Sequence, residues 1–196
     1  MPAMKRTPRY LRTDERLDAE GSLRKAAQTI MAIHADPSEW KWALIAVHSA
    51  VQGMFVLALS LGNDLLTLKS KHASAWLKAY RSEEPYSGRL DLDYFGELYK
   101  KAKEHAKFPA TEDHDRDVER LNELRNEFIH FGAKGWSLEL AGLPTICLNS
   151  LEIAEHLGWK FGGVFWHTEA QSKRARRHLR QLIRELKRLD HEYRQL

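Results

Sequence analysis

The stretch ALIAVHSAVQGMFVLALSL, residues 43–61, decides the fold class of this chain because it contains no formally charged side chain. A run of this length could span a bilayer. However, His48, Ser49, Gln52 and Gly53 lie near its middle, where polar and small residues are unfavourable in lipid. We therefore predict that this stretch is the central buried helix of a soluble bundle rather than a membrane span.

The size and composition of the chain limit the remaining possibilities. Its 196 residues, 43% of them hydrophobic, suit a single domain, 1–196, with a substantial core. The single cysteine, Cys147, cannot form an intrachain disulfide and is typical of the reducing cytoplasm. The ten histidines are scattered, so we expect neither a metal site nor a cofactor. The basic N-terminus precedes no apolar run, so no signal peptide is predicted.

Apolar residues spaced three or four apart predict helices along most of the chain. Asp36, Pro37 and Glu39 form a strong helix start before the buried stretch. The segment 83–91 contains a proline and a glycine and predicts a loop. The predicted helices cover roughly 14–34, 37–61, 69–81, 92–106, 112–131, 151–167 and 168 to nearly the end of the chain. The predicted fold class is therefore all-α, a four-to-five-helix bundle with peripheral helices.

One segment interrupts the helical periodicity. Residues 136–140 alternate between apolar and polar side chains, residues 141–144 have the composition of a turn, and residues 145–148 could return as a second strand. This pattern predicts a small β-hairpin, and an irregular loop is the alternative.

The segment LRNEFIHFGAKGW, residues 124–136, carries the functional signal. On the predicted helix 112–131, Arg125 falls within the apolar face, at about 100° per residue. A buried guanidinium without a partner is unfavourable by several kcal/mol, so this Arg needs a specific partner. Asn126 and His130 lie four residues apart on another side of the helix. A fixed cation, an amide and a titratable imidazole are groups that bind and process a phosphate.

The order Arg, Asn, three residues and then His, late in an all-helical domain, resembles the signature of the HEPN superfamily. HEPN domains are small helical bundles, and many are metal-independent endoribonucleases of toxin–antitoxin, antiviral and RNA-processing systems. The resemblance implies a homodimer whose two motif helices meet, so that Arg125, Asn126 and His130 contribute to a shared RNA-cleaving site. It also implies RNA as the substrate and an antitoxin or other regulatory protein as a further partner.

The spacing within the motif favours a shared site. Five residues correspond to about 500°, so Arg125 and His130 point about 140° apart on an ideal helix. A single chain would hardly direct both side chains at one phosphate, whereas two chains could.

Arg125 and His130 could also have purely structural roles. Arg125 could pair with a carboxylate of its own bundle, and His130 could be a cation favoured at a helix C-terminus.

The last predicted helix, which begins at residue 168, is strongly basic. It has nine Lys or Arg against four Asp or Glu, a balance of +5 in a chain of net charge +4. Its apolar residues, from Ala175 to Leu196, form a seam that could pack on the bundle or on a twin helix. The opposite side could be an ordinary solvated face or a surface for RNA. We expect RNA contacts from four of its cations, Arg177, Arg180, Arg184 and Arg188.

Two further groups of side chains allow more than one interpretation. His48 and Gln52, four apart on the buried helix, could be a hydrogen-bonded pair of the core, or they could support and orient the motif from behind. Several aromatic residues could stack on bases, although aromatic residues of small bundles more often belong to the core. These residues are Trp136, Trp159, Phe161 and Trp166.

Together with the HEPN resemblance, which implies metal-independent RNA cleavage to a 2′,3′-cyclic phosphate, the sequence predicts a cytoplasmic endoribonuclease of this type. His130 would move the proton, Arg125 would stabilise negative charge on the phosphate, and Asn126 would orient one phosphate oxygen. The alternative is a non-catalytic dimeric helical module that binds nucleic acid, a nucleotide or a regulatory protein. Both predictions exclude a membrane as partner.

Overall fold

A computed structural model of the chain describes residues 10–60, 62–130, 132 and 135–195, and these residues form seven α-helices. The helices are α1 (Glu15–Ala32), α2 (Trp40–Leu59), α3 (Ser70–Arg81), α4 (Phe95–His105), α5 (Glu112–Ile129), α6 (Leu143–Glu155) and α7 (Glu169–Tyr193). A 3₁₀ turn, Pro37–Glu39, leads into α2, and a π-helical turn, His156–Lys160, follows α6. The all-α fold class is confirmed. Leu61 and Phe131, where the sequence predicts two helix ends, lie outside the described residues.

α2 is the centre of the bundle, where it packs against α1, α4, α5 and α6. The segment Pro37–Leu59 is long and apolar enough to cross a membrane, yet 67% of its most apolar stretch is buried inside the protein. Most of the surface that a membrane helix would present to lipid is here covered by other helices. α2 is therefore the central buried helix of the bundle, as predicted.

Side-chain caps determine where α1 and α5 begin. Asp14 accepts hydrogen bonds from the backbone N–H groups of Arg16 and Leu17 at the start of α1. At the start of α5, the Thr111 hydroxyl accepts from the N–H of His114, and the His114 ring accepts from the N–H of Thr111. This is a capping box in which histidine replaces the usual Glu or Gln.

The predicted β-hairpin at 136–148 is wrong. Within the described residues its first half has no regular secondary structure, and its second half belongs to α6, which begins at Leu143. Pro144 lies in the first turn of α6, where its missing N–H is tolerated. Leu143 and Cys147 are both buried, and their spacing of four is that of a helix rather than of a strand.

The apolar seam of α7 is covered within the chain. α7 packs against α1 and α6, and the seam residues from Ala175 to Leu189 are buried. The seam therefore packs on the bundle and gives no support for a twin helix. Leu196, the last residue of the predicted seam, lies outside the described residues.

α1 and α2 approach each other closely at Gly53. A Cβ atom at this position would lie 3.1 Å from the Cβ and 3.2 Å from the Cα of Ala19. Two small residues thus allow the helices to touch. The contact brings the first turn of α1 beside the polar residues of α2.

A side chain at Gly53 should separate these helices. Gly53→Val should lower the free energy of unfolding by about 2 kcal/mol through overpacking. Gly21, on α1, is the matched control because no atom lies within 4 Å of the place its Cβ would take. Gly21→Ala should raise the free energy of unfolding by about 0.5–1 kcal/mol through helix propensity, and Gly53→Ala should show no such gain. Urea unfolding followed by circular dichroism measures all three, and equal gains for the two alanine variants would contradict the close contact.

Candidate active site

α5 places two of the three motif residues side by side. Arg125 and Asn126 follow the buried Leu121 and Leu124 in the last turns of the helix. The Nη1 of Arg125 donates a hydrogen bond to the Oδ1 of Asn126 at 2.9 Å. Both side chains are only half-buried, so the guanidinium keeps other N–H donors for a further partner.

Arg125 lines an open cleft of about 320 Å³ between α1, α2 and α5. The other residues that line the cleft are Glu15, Asp18, Ser49, Gln52, Gly53, Val56 and Leu92. Among the described residues, no carboxylate oxygen lies within 4.0 Å of the Arg125 guanidinium. The ion pair that would explain this Arg as a purely structural residue is therefore not formed within that part of the chain.

Glu15 and Asp18 give the cleft a mixed charge. Both lie in the first turn of α1, where negative charge is favourable at a helix N-terminus. Glu15 pairs with its neighbour Arg16. In the described part of the chain, no group of three or more His, Cys, Asp or Glu side chains is arranged to hold a metal ion. The two acids were not identified from the sequence, because their place beside Arg125 depends on the crossing of α1 and α2.

His130 lies apart from the cleft. It is the C-terminal cap of α5, where its backbone N–H donates to the carbonyl of Asn126 at 2.9 Å and its side chain is exposed. Its ring makes no hydrogen bond or ion pair with any residue that the structure describes. One chain thus joins Arg125 to Asn126 and leaves His130 exposed at the end of the helix.

The polar residues of α2 connect the core to the motif helix. The Nε2 of His48 lies 3.1 Å from the Oδ1 of Asn122, which is one turn before Arg125 on α5. The His48 ring also stacks on Phe95 of α4, with 4.0 Å between ring centroids. His48 therefore bonds to α5 rather than to Gln52, while Gln52 lines the Arg125 cleft. Asn122 was missed in the sequence, although it is a polar residue on the helix face that packs inward.

Burial lowers the pKa of His48 to about 4, the hydrogen bond to Asn122 opposes this shift, and the positive charge of Arg125 adds to it. The ring is therefore neutral at physiological pH. Because Asn122 Oδ1 can only accept, the proton of the neutral ring lies on Nε2. His48 is thus a fixed donor to the motif helix and not a group that exchanges protons near neutral pH.

No protein-family model matches this chain, and no curated protein or solved structure is significantly similar to it. The function therefore has to be argued from the site itself.

The buried ring of His48 should make stability depend on pH. The unfolded ring, with a pKa of 6.5, binds a proton more readily than the folded ring, whose pKa is about 4. The free energy of unfolding should therefore fall by about 2–3 kcal/mol as pH drops from 6.5 to 4, and this ring should contribute almost no pH dependence above about pH 7.5. Urea unfolding at several pH values, wild type against His48→Gln, measures the contribution as a difference in slope. Identical pH dependence of the two proteins would show that the ring is not held neutral.

Proposed function

We propose that the protein is a metal-independent endoribonuclease of the HEPN type, acting in the cytoplasm as a homodimer. The observation that carries this proposal is the state of Arg125. Its guanidinium lines an open cleft, bonds to an amide, and has no carboxylate partner among the described residues. A half-buried guanidinium of this kind is ready to bind an anion. The resemblance of the motif suggests that the anion is the phosphate of RNA.

In the proposed reaction, the ribose 2′-OH attacks the adjacent phosphorus and the 5′-oxygen of the next nucleotide leaves. The products are a 2′,3′-cyclic phosphate and a 5′-OH end. His130 takes the proton of the 2′-OH and passes it to the 5′-oxygen as that oxygen leaves. Arg125 stabilises the charge on the non-bridging oxygens. Because the Oδ1 of Asn126 already accepts from Arg125, its Nδ2 is the group that donates to a phosphate oxygen.

The position of His130 supports a site that is shared between two chains. In its own chain His130 does not line the cleft that contains Arg125. If two α5 helices meet, His130 of one chain can approach a phosphate that Arg125 of the other chain holds. Ile129, beside His130, is 45% exposed and offers an apolar contact for such an interface. The seam of α7 is already buried, so the dimer contact is proposed at α5.

Cleavage of single-stranded RNA should continue in EDTA, because the proposed chemistry uses only side chains. His130→Ala and Arg125→Ala should each slow the cleavage by about 10²-fold or more. Gel analysis and mass spectrometry of the product ends measure the rate and identify the cyclic phosphate. His191→Ala removes an exposed imidazole from α7 and is the matched control, which should cleave like the wild type.

Two results would contradict this mechanism. One is activity that appears only after a divalent metal is added. The other is a His130→Ala variant that cleaves as fast as the wild type while remaining folded and dimeric.

α7 provides a second surface for RNA. Five cations lie together on its exposed side: Lys173, Arg176, Arg177, Arg180 and Arg184. Lys173 pairs with Glu169, whereas the other four have no ion-pair partner within the described residues. Arg188, also expected to bind RNA, pairs with Glu192 at 2.9 Å. A row of unpaired cations suits a polyanion.

This basic surface also favours a second candidate function. A non-catalytic dimeric module could bind nucleic acid, or a nucleotide, through α7 without any chemistry at His130. An antitoxin or another regulatory protein is a proposed partner under either function. Tight binding of RNA by a wild-type protein that does not cleave it would favour the module over the nuclease.

The cations of α7 should set the affinity for RNA and leave the chemical step unchanged. Replacing Arg177, Arg180 and Arg184 with Gln should weaken binding of single-stranded RNA by roughly 10- to 100-fold at low salt. The slope of log affinity against log salt should flatten by about 2. Arg188→Gln combined with Glu192→Gln is the control and should change little, because it removes an ion pair and leaves the net charge unchanged.

Fluorescence anisotropy at several salt concentrations measures the binding, in a His130→Ala background that prevents cleavage. The single-turnover rate at saturating RNA should stay the same when the three substitutions are made in the wild-type chain. An unchanged affinity together with loss of the dimer would make this row of cations a protein interface.

A further inference from the structure

The segment between α2 and α4 forms an arm that stands apart from the bundle. α3 has twelve residues, all described, and none of them is buried. The base of the arm is tied down by an antiparallel bridge between Leu68 and Leu92. Lys101 of α4 adds bonds to the Leu68 carbonyl at 2.8 Å and to Asp93 at 2.7 Å. A helix this short is only marginally stable without packing, so we expect a contact from outside the chain to cover it.

Aromatic rings are prominent on the exposed surface of the arm. Trp76 and Tyr80, one turn apart on α3, are stacked with 5.2 Å between centroids and 9° between planes. Tyr80 is 69% exposed, and Tyr94 at the base of the arm is 70% exposed. The Nζ of Lys69 lies 4.4 Å from the centroid of the Tyr94 ring. Accessible aromatic rings beside cations are the surface on which unpaired bases stack.

The aromatic residues that the sequence suggested for base stacking have a different setting. Trp136, Trp159, Phe161 and Trp166 pack against the hydrophobic core. Trp76 is also half-buried, but neither Trp76 nor Tyr80 packs against that core. The arm is therefore the better place for contacts with bases.

The charge of α3 indicates which kind of partner would cover this helix. The helix and its N-cap contain no Asp or Glu, and they contain four cations, Lys69, Lys71, Lys78 and Arg81. None of the four has an ion-pair partner among the described residues. The five acids of residues 62–94 all lie outside α3, and two of them, Asp91 and Asp93, are paired with Arg89 and Lys101. A second copy of α3 would bring like charges together across a twofold axis, whereas a nucleic-acid strand supplies both phosphates and flat bases.

We propose that this arm, residues 62–94 centred on α3, is a docking platform for single-stranded nucleic acid. Trp76 and Tyr80 stack on unpaired bases, and the cations of α3 contact the phosphates on either side. The inference rests on the proposed function only in taking RNA as the natural strand. Binding at the arm needs neither Arg125 nor His130.

Substitution of the stacked pair tests the platform. The probe is a labelled thymidine deoxyoligonucleotide of about twelve nucleotides, which cannot be cleaved through a 2′-OH. Trp76→Ala with Tyr80→Ala should weaken its binding by roughly 10- to 100-fold. Trp76→Phe with Tyr80→Phe keeps two stacking rings and should bind nearly as well as the wild type. Trp42→Ala is the control. Trp42 is 51% exposed, and it lies near the start of α2, at the end away from the arm.

Salt dependence separates the aromatic contacts from the charged ones. The double alanine variant should keep the wild-type slope of log affinity against log salt, since it loses no cation. Replacing Lys71, Lys78 and Arg81 with Gln should flatten that slope by about 2. A duplex of the same length should compete weakly, because its bases are already stacked on one another.

Unchanged affinity in the double alanine variant would overturn the proposal, and so would failure of the wild type to bind the probe. Light scattering gives a further outcome. If the double alanine variant dissociates from dimer to monomer and the phenylalanine variant does not, the arm is an interface between copies of this chain. Because the probe contains no 2′-OH, a protein that binds it but cleaves no RNA would leave this inference standing and remove the proposed nuclease.

Discussion

Burial of α2 against four helices forces its polar side chains to find partners inside the bundle, and the rest of the site depends on those partners. An imidazole at this depth without a hydrogen bond would be unfavourable by about 1–3 kcal/mol. His48 avoids this through Asn122 of α5 and through its stack on Phe95 of α4. One side chain of α2 therefore contacts both the motif helix and α4. Arg125 follows Asn122 by one turn, so it lies next to this contact on α5.

The close approach of α1 and α2 at Gly53 shapes the other side of the cleft. It brings Glu15 and Asp18 into the space that Arg125 also lines. These acids would repel a phosphate that entered deeply toward α1. A phosphate bound by Arg125 would therefore lie toward Asn126 and the exposed end of α5, which is also the end that carries His130. The mixed charge of the cleft agrees with a site completed at the surface rather than inside one chain.

The sequence predicted most of the fold because its strongest signals are local. The uncharged stretch on α2, the cap at Asp36 and the apolar seam of α7 each predicted a helix where the structure has one. The hairpin failed because the segment at Gly142 and Pro144 was taken for a turn, although Pro is equally suited to the first turn of a helix. From the sequence, the apolar seam of α7 could pack on the bundle or on a twin helix. The structure shows that it packs against α1 and α6.

The candidate site was harder to predict from the sequence than the fold was. The sequence placed Asn126 on the side of His130 and away from Arg125, whereas the structure joins Asn126 to Arg125 by a hydrogen bond. Glu15 and Asp18 could not be foreseen, since they come from a helix more than a hundred residues earlier. The stack of the half-buried Trp76 on the exposed Tyr80 was also missed, because spacing alone does not distinguish an uncovered helix face from a buried one. The HEPN resemblance and the role of His130 stay predictions.

Subunit mixing tests the shared site most directly. Arg125→Ala and His130→Ala homodimers each lack one side chain at both sites. A mixed dimer contains one complete site, with Arg125 from one chain and His130 from the other. Random exchange gives mixed dimers in about half of the population, each with one of two sites intact, so the mixture should regain about a quarter of wild-type RNA cleavage. No regained cleavage, with the mixed dimers verified by native mass spectrometry, would contradict the shared site.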